Sequence, residues 1–217
     1  MPHGTAPPPS PESLTASQLA RRERIVKVAL NLLVNGDYEK IQMKDVAESS
    51  DVALGTVYRY FTSKEHLFAA VQIEWVKSLH RQILRRPPSG ESNLERLSQV
   101  LHKSVRAFQL QPQFYRVLLV LEVAKDPFAK ELYEVMSRET EATYRESLSG
   151  IDPKTASDLL RVVLAVLGAE LRGWVLGRQS IDEVKANLVA ALTLLLTYRD
   201  PTSVDATGAI GAERLAT

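Results

Sequence analysis

Residues 43–61 of the 217-residue chain read MKDVAESSDVALGTVYRYF, and the fold turns on this stretch. Val46 and Ala47 mark the inner side of a first short helix, and Ser49, Ser50 and Asp51 are turn formers. Val52 is an apolar plug leading into a second helix, from about Ala53 to Phe61. Two short helices joined by a three- or four-residue turn make a helix-turn-helix. At about 100° per residue, taking Val57 and Phe61 as the buried stripe places Gly55 and Arg59 opposite, with Thr56 and Tyr58 beside them. One face is therefore small, cationic and hydroxylated.

That face has what a helix entering a major groove needs. Arg59 can fork onto a guanine edge or a phosphate, and Thr56 and Tyr58 can bond phosphates or touch a thymine methyl. A glycine inside a helix costs about 1 kcal/mol relative to alanine, so Gly55 is better explained by close backbone approach than by helix stability. Spacing alone leaves an alternative open, since paired short helices also occur in ordinary helical domains.

Upstream, Leu19, Ile25, Val28, Ala29, Leu32 and Leu33 recur at helical spacing from about Thr15 to Asn35, with Gly36 as the expected left-handed stop. Arg21, Arg22, Arg24 and Lys27 cluster near its start, where they can meet phosphates or form a solvated face. Downstream, Thr62 or Ser63 can cap the next helix. Lys64 then stands at a helix N-terminus, against the macrodipole, which a phosphate partner would explain. This helix carries Leu67, Phe68, Val71, Trp75 and Leu79 to about Arg85, a natural lever between two sites.

These residues carry a resemblance. DVALGTVYRYFTSKEHLF is similar to the recognition-helix signature of the TetR family of transcriptional repressors, a GT-x-Y-x-x-F core followed by a Ser-Lys helix start, and the similarity covers about residues 18–75. It implies an all-α homodimer in which three N-terminal helices bind double-stranded operator DNA. A C-terminal helical domain would bind a small effector that releases the DNA. Ala53 and Gln42 depart from the family, which usually has a serine cap and a threonine there. The DNA-contact set is then Arg21, Arg22, Lys44, Leu54, Gly55, Thr56, Tyr58, Arg59, Tyr60 and Lys64. The expected organisation is a flexible Pro-rich tail over 1–17, a DNA-binding domain over 18–62, an effector-binding and dimerisation domain over 63–199, and a flexible tail over 200–217.

Composition bounds the rest. With 27 basic and 26 acidic residues the net charge is +1, so any DNA case rests on local arrangement. Cysteine is absent, which removes disulfides and thiolate chemistry and fits a reducing, cytoplasmic setting. The N-terminus MPHGTAPPPSPES has no apolar core and does not read as a secretory signal. No GxSxG elbow, P-loop, GxGxxG or HExxH occurs, and His3, His66, His80 and His102 lie too far apart for a helical metal pair, so neither an enzyme nor a metal or cofactor is expected. The competing classes are an enzyme whose site is assembled from scattered residues, and a helical adaptor or small-molecule-binding protein without DNA function.

Behind the break at Arg85–Gly90, helix starts recur near Leu94, at Pro112, at Asp126-Pro127 and at Asp152-Pro153, giving about nine helices and no sheet. The helix from Leu159 to Leu176 is apolar almost all round, but Glu170 and Arg172 exclude a membrane span of about 20 apolar residues. Ser180 and Glu183 have capping-box spacing for a final helix with a second wide apolar face. The pair reads as half of a four-helix dimer interface through Leu164, Gly168, Leu171, Leu188, Leu192 and Leu195, with Gly168 and Gly173 allowing close approach; an intramolecular core is the alternative. An apolar effector pocket is expected among Trp75, Phe108, Phe114, Leu118, Leu121, Tyr133, Met136, Tyr144 and Trp174. VALGTVYRYFTSKEHL and GWVLGRQSIDEV resemble the steroid-catabolism branch of the family. That implies a large hydrophobic effector, an acyl or steroid coenzyme A thioester, with Arg116, Arg145 or Arg172 as countercharge.

Overall fold

The computed structural model describes residues 7–197, which form nine α-helices and two single-turn 3-10 helices, with no strand among the described residues. The helices are α1 (Ala16–Val34), α2 (Met43–Ser49), α3 (Leu54–Tyr60), α4 (Lys64–Arg85), α5 (Asn93–Leu110), α6 (Pro112–Glu122), α7 (Pro127–Arg145), α8 (Pro153–Val175) and α9 (Ile181–Thr197). Their starts are set by side chains that satisfy otherwise unpaired first-turn amides. Thr15 and Gln18 form a reciprocal capping box on α1, Ser92 and Glu95 one on α5, and Ser180 and Glu183 one on α9. Ser63, rather than Thr62, caps α4 by accepting from the His66 amide at 3.0 Å. Prolines open α6, α7 and α8, where a missing N–H costs nothing.

Helices α1 to α3 enclose a small head around Ile25, Ala29, Leu33, Val46, Val57 and Phe61, all shielded from solvent. Asp51 takes a left-handed conformation (φ 53°), a state its short polar side chain tolerates, and this lets the chain reverse between α2 and α3. Helix α4 packs against α1 on the head side and runs on against α7, α6 and α5, so one rigid rod joins both halves. Helices α8 and α9 lie side by side and close the far end against α6, α7 and α5.

Two expectations change. Gly36 is not the left-handed stop of α1. The helix ends at Val34 and is capped by Asn35, whose side-chain amide donates to the Asn31 carbonyl at 2.8 Å and takes over the C-terminal satisfaction that glycine geometry would have given. The Pro-rich segment expected as a flexible tail forms a 3-10 turn at Pro11–Ser13, where the Ser13 hydroxyl donates to the Ser10 carbonyl at 2.7 Å. Residues 1–6 and the tail expected over 200–217 lie outside the described residues.

Candidate nucleic-acid interface and its coupling to the helical domain

Helix α3 buries Val57 and Tyr60, with Phe61 buried just beyond its end, and turns Gly55, Tyr58 and Arg59 outward. The buried set is spaced i, i+3, i+4, which fixes the rotation of the helix about its axis. Tyr58 is 49% exposed and Leu54 42%, large fractions for such side chains. A Cβ added at Gly55 would meet nothing within 4 Å, so the glycine answers no packing need within the chain. Lys44 on α2 is exposed, and Thr56 and Arg21 are half-buried at the edges of the same region.

Three members of the expected DNA-contact set are held by the head itself. Tyr60 is 1% exposed because it continues the inner stripe of Val57, and its hydroxyl accepts from Arg59 at 3.1 Å. Arg22 lies with its guanidinium 5.0 Å from the centre of the Phe61 ring, a desolvated cation–π contact, and burial lowers its pKa. Lys64 donates to the Tyr38 carbonyl and sits 3.9 Å over the Tyr38 ring; burial lowers its pKa as well. Each of these cations rests on an aromatic ring that lies far from it in sequence or on another element.

Just after α3 the head is tied to the helical domain. The Thr62 hydroxyl donates to Oδ2 of Asp126 at 2.7 Å, while Oδ1 of the same carboxylate accepts from the Phe128 and Ala129 amides at 2.9 and 3.0 Å and so caps α7. Burial opposes ionisation of Asp126, yet the bonds from Thr62, Ser63 and the two amides outweigh it and keep the carboxyl below its ordinary pKa. The Thr62 amide donates to Nδ1 of His66 at 3.2 Å, which makes that nitrogen an acceptor. His66 also stacks on Phe128 with ring centres 5.5 Å apart, and burial pushes it down to about 4 despite the nearby Asp126 charge. In the sequence, Asp126 reads only as a helix start and His66 only as a metal candidate, so this junction was missed.

A bacterial regulatory protein model of the tetR family matches residues 25–71, which span most of α1, all of α2 and α3, and the start of α4. The HTH-type transcriptional repressor KstR of Rhodococcus jostii (strain RHA1) is 31% identical over 186 residues, covering 83% of this chain and 84% of that one. The chain belongs to the tetR family. It is a DNA-binding transcriptional regulator. A solved tetR regulator from Rhodococcus sp. RHA1 superposes with a TM-score of 0.73 at 25% identity, over 83% of this chain and 97% of that one. The regulator FadR of Bacillus subtilis, solved with stearoyl-CoA, shares the fold at a TM-score of 0.60 and 16% identity, over 81% and 97% of the two chains.

In this tetR-family chain the nine expected effector residues pack on one another and on their neighbours. The Trp75 ring stacks on Phe114 (4.7 Å, 12° between planes) and tilts against Phe108 at 4.8 Å, while its indole N–H donates to Gln111 at 2.6 Å. Phe114, Leu121, Met136 and Tyr144 are buried, and Leu118, Tyr133 and Trp174 are half-buried. Tyr144 shares its hydroxyl hydrogen bond with Ser104, and burial raises it to about 12. A groove of about 970 Å³ opens elsewhere, between α1, α4 and α7, lined by Leu19, Val26, Ile73, Phe128, Leu132 and Val135 and walled by Pro8–Glu12; none of the nine borders it. Arg172 is paired with Glu122 at 2.7 Å and Arg145 with Glu141, whereas Arg116 is exposed on α6.

The six expected dimer residues also divide. Leu171, Leu188 and Leu192 point into this chain's own core, and Gly168 turns toward α6, its carbonyl accepting from the Tyr115 hydroxyl. Gly173 leaves room for Gln179, whose side chain a Cβ there would strike at 2.9 Å. Leu164 and Leu195 sit half-buried at the margin. The exposed apolar residues are instead Val162, Ala165 and Ala169 in one row on α8 and Val189, Ala190 and Leu194 spread across the outer face of α9. Among the described residues no helix is long and apolar enough to cross a membrane, and no group of three acidic or histidine side chains could hold a metal ion.

Proposed function

We propose that the chain is a homodimeric repressor whose two α3 helices enter successive major grooves of an operator and whose affinity is lowered by a small hydrophobic effector held in the helical domain. The presented face of α3, with Gly55, Tyr58 and Arg59 outward over a buried Val57, carries this reading. Lys44, Leu54, Thr56 and Arg21 extend the contact surface, while Tyr60, Arg22 and Lys64 act by holding the head rigid. The functional boundary falls at residues 62–63, where α3 has ended and the Thr62–Asp126 bond begins the link to the helical domain.

Dimerisation through the outer faces of α8 and α9 supplies the two-fold geometry, because successive major grooves lie about 34 to 36 Å apart. Paired faces carrying Val162, Ala165, Val189 and Leu194 would close a four-helix interface of the same kind expected from sequence, rotated outward from Leu171 and Leu188. The effector acts only if it prefers a conformation in which the recognition helices are wrongly spaced, and α4 with its Thr62–Asp126 anchor transmits that preference. A coenzyme A thioester of an acyl chain or a fused-ring acid is the class we assign. Similarity to a KstR repressor over most of the chain supports it, and a regulator of the same fold holds stearoyl-CoA.

The test is retardation of the gene's own upstream DNA across a salt series against random competitor. We expect a specific complex of two chains per site, weakened by roughly 1–3 kcal/mol in Arg59→Ala. An Arg59→Ala protein that binds its operator as the wild type does would overturn the assignment of α3 as the reading helix.

A further inference from the structure

Gln72 lies midway along α4 on its inner face, one turn beyond Phe68 and one turn before Trp75 and Val76. The side chain is 0% exposed, yet neither its Nε2 nor its Oε1 has a hydrogen-bond partner among the described residues. The buried serines differ. The hydroxyls of Ser50 and Ser147 donate to the Val46 and Tyr144 carbonyls, and Ser104 pairs with Tyr144. A buried amide without partners destabilises the fold relative to an apolar side chain of the same size, so its presence at the centre of a packed helix face calls for a ligand that completes it.

We propose that Gln72 is the polar anchor of the effector site, its amide donating to and accepting from a neutral hydroxyl or carboxamide carried at the apolar end of the ligand. This rests on the effector reading above and specifies which end of the ligand lies deepest. The chemistry follows from the two orphaned atoms: Nε2 needs an acceptor and Oε1 needs a donor, so a group offering both satisfies the amide and a bare methyl terminus satisfies neither. From Phe68 to Val76 that face of α4 carries no charged residue, so an ionised group there would be desolvated without a counterion. Any charged head of the ligand therefore lies elsewhere. Trp75 cannot take over the role, since its indole N–H is already given to Gln111. One turn further along the same face of α4, Trp75 is packed against Phe108 and Phe114, which marks this part of the interior as apolar. A polar bond made directly to the lever also couples occupancy to the spacing of the heads.

The experiment compares wild type with Gln72→Met, a change of similar volume without the amide, using stearoyl-CoA and its terminally hydroxylated counterpart as probes by calorimetry and operator retardation. The unliganded variant should melt roughly 2 °C or more above wild type, because an unsatisfied amide has been removed. Wild type should bind the hydroxylated thioester about tenfold or more tightly than the plain one, and Gln72→Met should bind the two alike. A variant that melts lower, or that keeps the wild-type preference, overturns the assignment of Gln72 while leaving the effector reading standing. If wild type binds neither thioester and neither alters operator binding, the acyl-thioester form of the effector reading fails together with the anchor that rests on it.

Discussion

In the three-helix head the distinctive side chains Tyr58, Arg59 and Lys44 face outward from a core of Val46, Val57 and Phe61, whereas in the helical domain Gln72, Ser104, Tyr115 and Tyr144 lie inside. The head is built to present a fixed surface. Its outward groups need no partners within the chain, and even its inward cations, Arg22 and Lys64, are clamped onto rings of the same small body. The helical domain keeps polar chemistry in its interior, where an unmet group is costly and a met one is specific. A rigid reader thus sits on a body whose interior leaves one amide unmet.

This contrast can be broken first at the head's core. Phe61 is fully buried, packs edge-on to His66 and carries the Arg22 guanidinium, so Phe61→Ala should lose about 3–5 kcal/mol of stability and abolish operator binding at growth temperature. Chemical denaturation would check it, and a loss below 1 kcal/mol (about a fivefold change in folding equilibrium) would mean that the head is not the rigid unit described.

Acid probes the junction and the interior together. Burial depresses His66 and His80 from 6.5 to about 4, so both are neutral in the fold. Their contribution is fully present above about pH 6.5, and it is lost as the pH falls toward 4, because the unfolded chain takes up protons that the folded one refuses. Each unit of depression is worth about 1.4 kcal/mol, so the denaturation midpoint should fall steeply across that window. His66→Gln and His80→Gln would each flatten part of the slope; a midpoint insensitive to pH over the window in wild type would contradict the burial of both rings.

The smallest expected effect lies in the tie between the regions. Thr62→Val keeps the shape of the side chain and removes its bond to Asp126, so operator affinity without effector should change little. The effector-induced change in affinity should fall by about 0.5–2 kcal/mol. Equal effector response in Thr62→Val and wild type would show that the junction bond carries no coupling.

Much of this organisation is legible in the sequence, because helix ends are local chemistry. Asp126-Pro127, Asp152-Pro153 and the Ser180–Glu183 pair mark their helices within a residue or so, and the period of Val57 and Phe61 sets which way α3 faces. Tyr60 could have been assigned inward on the same period, being three residues beyond Val57. Arg22 and Lys64 could not, since the Phe61 and Tyr38 rings that hold them come from other elements. Helices α8 and α9 carry apolar residues on two sides, and composition does not say whether Leu188 or Leu194 turns inward; only packing against α5 and α8 decides it. The aromatic residues of α4 to α7 posed the same difficulty, because rings that line a cavity and rings that stack on each other have the same spacing.

Asp126 divides one carboxylate between two duties, Oδ1 holding the first turn of α7 and Oδ2 holding Thr62 at the exit of the DNA-reading head. Fraying of that turn and loosening of the head are therefore one event rather than two in sequence. Coupling through a shared group runs equally in both directions. DNA that stiffens the head must stiffen the start of α7 by the same free energy, and an operator-bound regulator resists its effector to the extent that the effector dislodges it.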